Sequence, residues 1–170
     1  NGTYQCTGNL PQYAETGTWQ VYYVYTYDTV NNIRYYFTAD ISALGSSTTF
    51  NNIGQQDNIP PALTAFTLQT SSVDTSSGSA TVRSTLTVQD DLSGVRNVQW
   101  VAQSPSRAQS LSSNCSRVSG TVFNGTYQCT GNLPQYAETG TWQVYYVYTY
   151  DTVNNIRYYF TADISALGSS

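Results

Sequence analysis

Residues 1–47 recur without a single substitution as residues 124–170. The offset is 123 residues, so the chain covers one full period plus a 47-residue overlap. Solenoid repeats have periods of about 20–50 residues, and a period this long is a whole domain instead. The segment Gln55-Gln56-Asp57-Asn58-Ile59-Pro60-Pro61 is polar and ends in two prolines, which reads as a stiff linker. The expected organisation follows from these boundaries. Residues 1–55 are the C-terminal part of one repeat, residues 56–61 are the linker, and residues 62–170 are the next repeat, lacking its last strand. Residues 47–53, Ser-Thr-Thr-Phe-Asn-Asn-Ile, are expected to be that closing strand in the first copy.

Within the period, alternation of apolar and polar residues dominates, and no segment holds a helical spacing. Ala80, Val82, Ser84, Leu86 and Val88 alternate with polar neighbours, as do Val98, Trp100 and Ala102. Asp90-Asp91-Leu92-Ser93-Gly94 is the turn between these two strands. Residues 63–73 predict an opening strand that switches edges midway. Residues 111–118 and 127–133 predict a hairpin, and residues 142–150 a strand with Trp142, Val144, Tyr146, Tyr148 and Tyr150 on one face. Residues 156–161 predict a further strand, and residues 162–167 a short helical turn. Seven or eight strands at roughly 8–12-residue spacing make an all-β domain, either a two-sheet sandwich or a small closed barrel.

Charge is scarce: 9% of residues are charged and the net charge is −4. The six basic residues are all Arg, and there is no Lys and no His. An acidic chain with scattered Arg lacks the basic patch that nucleic acid requires. No apolar run is long enough to span a bilayer. Without His or Lys, the His-based triads, most zinc sites, Schiff bases and Ser–Lys dyads are excluded. The two Glu, Glu15 and Glu138, are copies of one position, and no pair of carboxylates has a glycosidase spacing. The chain is expected not to be an enzyme.

Cys115 and Cys129 lie on the two arms of the predicted hairpin, where a disulfide would close a loop of about 15 residues worth roughly 3 kcal/mol. Cys6 is the copy of Cys129, and the copy of Cys115 would lie upstream of residue 1. A disulfide implies an oxidising compartment, so an extracellular, cell-surface location is expected.

Ile59-Pro-Pro-Ala-Leu-Thr-Ala-Phe-Thr-Leu, Ser-Ser-Val-Asp-Thr-Ser-Ser-Gly and Val-Gln-Asp-Asp-Leu-Ser-Gly-Val95 resemble the tandem Ig-like repeats of large bacterial surface and adhesin-type proteins. Leu133-Pro-Gln-Tyr-Ala-Glu-Thr-Gly-Thr-Trp142 and Thr161-Ala-Asp-Ile-Ser-Ala-Leu-Gly168 are similar to the later part of such repeats. The resemblance implies an Ig-like antiparallel β-sandwich acting as a spacer, an adhesin stalk or a filament component.

Two residue sets are candidate sites. Asp57 in the linker, Asp90 and Asp91 in one turn, and Asp151 with Asn154 in another offer hard oxygen ligands that could meet at a domain junction and take calcium. The competing reading makes them turn residues bonded to local backbone. No other cofactor is expected. Tyr145, Tyr146, Tyr148, Tyr150, Tyr158 and Tyr159 crowd two neighbouring strands. They form a sugar- or receptor-binding or self-association surface, or else a cross-strand ladder that only stabilises the sheet. The expected partners are neighbouring repeats or copies of the chain, through strand donation, with surface glycans as the alternative.

Overall fold

The computed structural model describes residues 2–167. The chain divides into two compact units, Asn1–Gln56 and Asp57–Ser170. Among the described residues no helix is long and apolar enough to cross a membrane.

The first unit carries β1 (Gly17–Gln20), β2 (Tyr23–Tyr27), β3 (Ile33–Phe37), α1 (Thr38–Ala43) and β4 (Thr49–Asn52). β1 pairs antiparallel with β4, and β2 with β3, as separate two-stranded sheets. The β1–β4 pair is fixed by side chains as well as backbone. Trp19 stacks on Phe50 at 6.3 Å, Thr18 donates to Asn51 Oδ1 (2.8 Å), and Asn52 donates to the carbonyls of Ala14 and Glu15 (3.0 and 2.8 Å).

The second unit contains β5 (Ala62–Leu68), β6 (Ala80–Gln89), β7 (Val95–Gln103), β8 (Ser110–Ser112), β9 (Asn114–Gly120), β10 (Asn124–Leu133), β11 (Gln143–Asp151), β12 (Ile156–Phe160) and α2 (Thr161–Leu167). They form two four-stranded antiparallel sheets, β5-β6-β10-β9 and β12-β11-β7-β8. One hydrophobic core joins the two. Leu63, Leu86, Val88, Tyr127 and Cys129 come from the first sheet, and Val98, Trp100, Ala102, Leu111 and Val147 from the second. The fold is therefore all-β. The period-two alternation of β6 and β7 supplies the buried faces, since every second side chain meets the opposite sheet.

Three local features differ from the expectations. The segment expected to run unbroken from residue 111 to 118 is two strands in different sheets: β8 pairs with β7, and β9 with β10. The switch lies at buried Ser113, whose N–H donates to the Trp100 carbonyl (2.9 Å) and whose Oγ accepts from the Trp100 N–H (2.9 Å). In β11 the register shifts between Val144 and Tyr146. Val144 packs against the core while Tyr146 joins the outer face, so Trp142 and Val144 do not share a face with the tyrosines that follow. Segment 57–61 is not a free linker, because Asp57 and Pro61 are buried within the second unit. The Pro61 carbonyl accepts from Thr149 Oγ1 (2.8 Å) and Tyr159 Oη (3.1 Å).

The β9–β10 hairpin holds the Cys115–Cys129 disulfide, with the two residues directly opposite in register. Gly120 closes the strand before the turn with φ +77, and a Cβ there would run into the Asn124 carbonyl oxygen. Gly120→Ala is expected to cost about 1–3 kcal/mol through left-handed strain and that clash. A urea midpoint unchanged from the parent would show that the turn can rebuild.

Candidate functional site

Asp57 precedes β5, Asp90 follows β6, and Asp151 ends β11. All three are buried, and one carboxylate oxygen from each lies within 4.8 Å of the others. Local chemistry shapes each turn first. The backbone N–H two residues on donates to each carboxylate: Ile59 to Asp57 (3.0 Å), Leu92 to Asp90 (3.2 Å) and Val153 to Asp151 (2.9 Å). Gly94 and Asn155 donate a second N–H to Asp90 and Asp151, respectively.

Tertiary bonds then draw the turns together. Ser93 N–H donates to Asp57 Oδ2 (2.9 Å). The Asn155 amide donates to both Asp151 Oδ2 (2.7 Å) and the Asp57 carbonyl (3.1 Å). Thr152 donates its hydroxyl to the Ser93 carbonyl (2.9 Å) and its N–H to the Gly94 carbonyl (3.1 Å). After these bonds, Asp90 Oδ2 and Ser93 Oγ remain buried without a hydrogen-bond partner. Burial pushes the Asp90 carboxyl above its ordinary pKa. The N–H groups of Gly94 and Leu92 oppose that shift, while the like charges of Asp57 and Asp151 add to it.

Of the five residues read as calcium ligands, the structure brings together Asp57, Asp90 and Asp151. All three belong to the second unit, which begins at Asp57. Asp91 is exposed at the turn. Asn154 is also exposed, has φ 70, and accepts from Arg96 (3.3 Å), so it faces away from the cluster. Its neighbour Asn155 takes the place beside Asp151, and Ser93 joins from the opposing turn. In the first copy, Asp28 accepts from the backbone and side chain of Asn32 in the same pattern, so the turn closes on the fifth residue by itself.

The tyrosines divide by face. Tyr145, Tyr146, Tyr148, Tyr150 and Tyr158 form a continuous aromatic ladder with Phe160 on the outer face of β11 and β12. Tyr146 meets Tyr158 edge-on at 5.5 Å, and Tyr148 stacks on Tyr150 at 6.2 Å. Arg96 lies over the Tyr150 ring at 5.8 Å. Tyr159 does not belong to this surface. It is a core residue whose hydroxyl donates to the Pro61 carbonyl and accepts from the Leu63 N–H (2.9 Å).

A groove of about 640 Å³ runs beside Gly140–Trp142, with Leu68, Val82, Leu133 and Tyr136 among its walls. Gly140, Thr141 and Trp142 are the copies of Gly17, Thr18 and Trp19, which form β1 in the first unit. In the second unit they precede β11 outside any strand.

Two antiparallel sheets around one core, a hairpin disulfide and a buried three-carboxylate cluster define an all-β, disulfide-linked domain. The chain belongs to the family described as "Domain of unknown function (DUF7035)", whose model matches residues 56–168. No curated protein and no solved structure matches the chain.

Proposed function

We propose that the chain is a structural repeat of an extracellular surface array, an adhesin stalk or filament subunit, built from tandem Ig-like antiparallel β-sandwiches with a 123-residue period. The resemblance to bacterial surface repeats motivates this reading, and the disulfide is compatible with it. No catalytic role is assigned to any residue.

The observation that carries the reading is the exact recurrence of residues 1–47 as residues 124–170, at an offset of 123 residues. In the first unit, Gly17–Gln20 pairs with residues 49–52. In the second, the copies of Gly17–Trp19 at residues 140–142 are outside any strand and lie beside a groove, while the copy of Gln20, Gln143, opens β11. A segment of the 48–53 type from a neighbouring repeat can add to that edge, with backbone bonds supplying affinity and the Phe50 ring filling apolar space. Contacts of this head-to-tail kind propagate into filaments when they do not close. A synthetic peptide of residues 47–53 is expected to bind the chain saturably. Its Phe50→Ala version should bind at least tenfold more weakly, because the ring supplies most of the apolar burial. Calorimetry showing no binding at millimolar peptide would remove strand addition.

A second reading rests on the ladder itself. Tyr145 and Tyr158 are 44% and 51% exposed on one continuous aromatic face, which suits stacking on a carbohydrate or a receptor surface. Glycan-array binding lost in Tyr146→Ala and Tyr148→Ala variants would favour it over the array, and silence across broad arrays would sink it.

A further inference from the structure

We propose that Asp57, Asp90 and Asp151 form a binding site for one hard divalent cation of the calcium class, with the Ser93 hydroxyl as an additional oxygen ligand. The inference stands apart from the array reading and would hold for a monomer.

Three buried carboxylates within 4.8 Å of one another repel strongly, because charge interactions grow as water is excluded. Turn formation alone does not account for their convergence. Each turn closes on its own local hydrogen bond, from the Ile59, Leu92 or Val153 N–H, and none of these bonds requires the other two carboxylates. Nor does internal hydrogen bonding exhaust the site. Asp90 is 8% exposed, its Oδ1 serves Leu92 and Gly94, and its Oδ2 is left with no partner. A second buried oxygen, Ser93 Oγ, is likewise unpartnered, on the residue whose N–H already holds Asp57. Buried polar atoms are ordinarily satisfied, so an orphan oxygen on one of the three carboxylates and a second on neighbouring Ser93 mark a place for a positive partner. Arg96 does not supply it, being engaged with Asn154 and the Tyr150 ring.

The donor set selects the ion. Every candidate ligand is oxygen, which suits hard cations over zinc or copper. The three carboxylates come from three separate turns, a flexible, charge-rich arrangement that fits calcium better than magnesium, which demands a tight octahedron and retains water. A bound ion would tie the entry segment at Asp57 to the β6–β7 and β11–β12 turns.

The test uses the whole chain, freed of metal with a chelator that is then removed. Calcium chloride is added at constant ionic strength and followed by calorimetry and by thermal unfolding. One ion per chain is expected, with the melting temperature raised by about 10 °C at a hundredfold excess over Kd. Magnesium should bind at least tenfold more weakly. Asp90→Asn should lose at least a hundredfold in calcium affinity while melting, without calcium, no lower than the parent, since it removes repulsion and keeps the Oδ1 acceptor. Asp91→Asn, at an exposed position, should bind as the parent does. If Asp90→Asn fails to fold, the parent titration still decides. No calcium-dependent shift up to millimolar concentration overturns the proposal, and so does a shift that survives in Asp90→Asn.

Discussion

Replacing Trp100 with alanine is expected to destabilise the second unit by about 4 kcal/mol, within the range for emptying a buried aromatic site. Trp100 is fully buried and sits on β7 within the core shared by the two sheets. A Cβ added at Gly131 of β10 would come within 3.1 Å of the Trp100 ring, so the indole reaches the opposite sheet. The cavity would therefore open at the seam between the sheets, where neither can close it alone. A hydrogen bond would go as well. Trp100 Nε1–H donates to Ser84 Oγ at 2.7 Å, and Ser84 is itself fully buried. Trp100→Phe should cost less, because it keeps most of the packing and loses chiefly that bond. Guanidinium unfolding of the three proteins measures the difference. A loss below about 1.5 kcal/mol for the alanine variant would mean that the sheets do not depend on a common core.

Loss of the Cys115–Cys129 bond is the second large effect. The two residues are 14 apart in sequence, a loop for which chain entropy predicts about 3 kcal/mol. Cys129 is fully buried and faces its partner across the β9–β10 ladder, so the double Cys115→Ala, Cys129→Ala variant removes a cross-link without exposing a new polar group. Equal midpoints for the oxidised parent and the double variant would contradict the stabilising role.

The two copies of the 47-residue segment separate what sequence can specify from what neighbours impose. Several features recur in both copies, and all are set within a few residues. Tyr13 and Tyr136 have φ values of 67 and 61. Trp19 and Trp142 each donate to the carbonyl of the Glu four residues earlier. Asp40 and Asp163 each accept the N–H that opens a short helix. The state of the first ten residues does not recur. Residues 124–133 form β10 between β6 and β9, with Tyr127 6% exposed, whereas residues 2–10 form no strand and Tyr4 is 89% exposed. Val147 is fully buried and its copy Val24 is 46% exposed, for the same reason. Alternation in β6 and β7 and the opposition of the two cysteines were legible because they follow from period and register. The sheet switch at Ser113 and the slip between Val144 and Tyr146 were not, since both are decided by the strand across the core. Of the acidic cluster, the residue types were readable. The exchange of Asn154 for Asn155 was hidden by the left-handed turn that rotates one out and the other in.

The hairpin bond also sets how far the chain can be drawn out under load. Pulled by its ends until every strand is undone, the oxidised chain keeps the loop between Cys115 and Cys129 closed, so the 14-residue separation contributes only the 4.0 Å between their Cα atoms. At about 3.4 Å per extended residue, reduction would release roughly 45 Å of additional contour length. The fully extended chain thus has two lengths, chosen by the redox state of its surroundings.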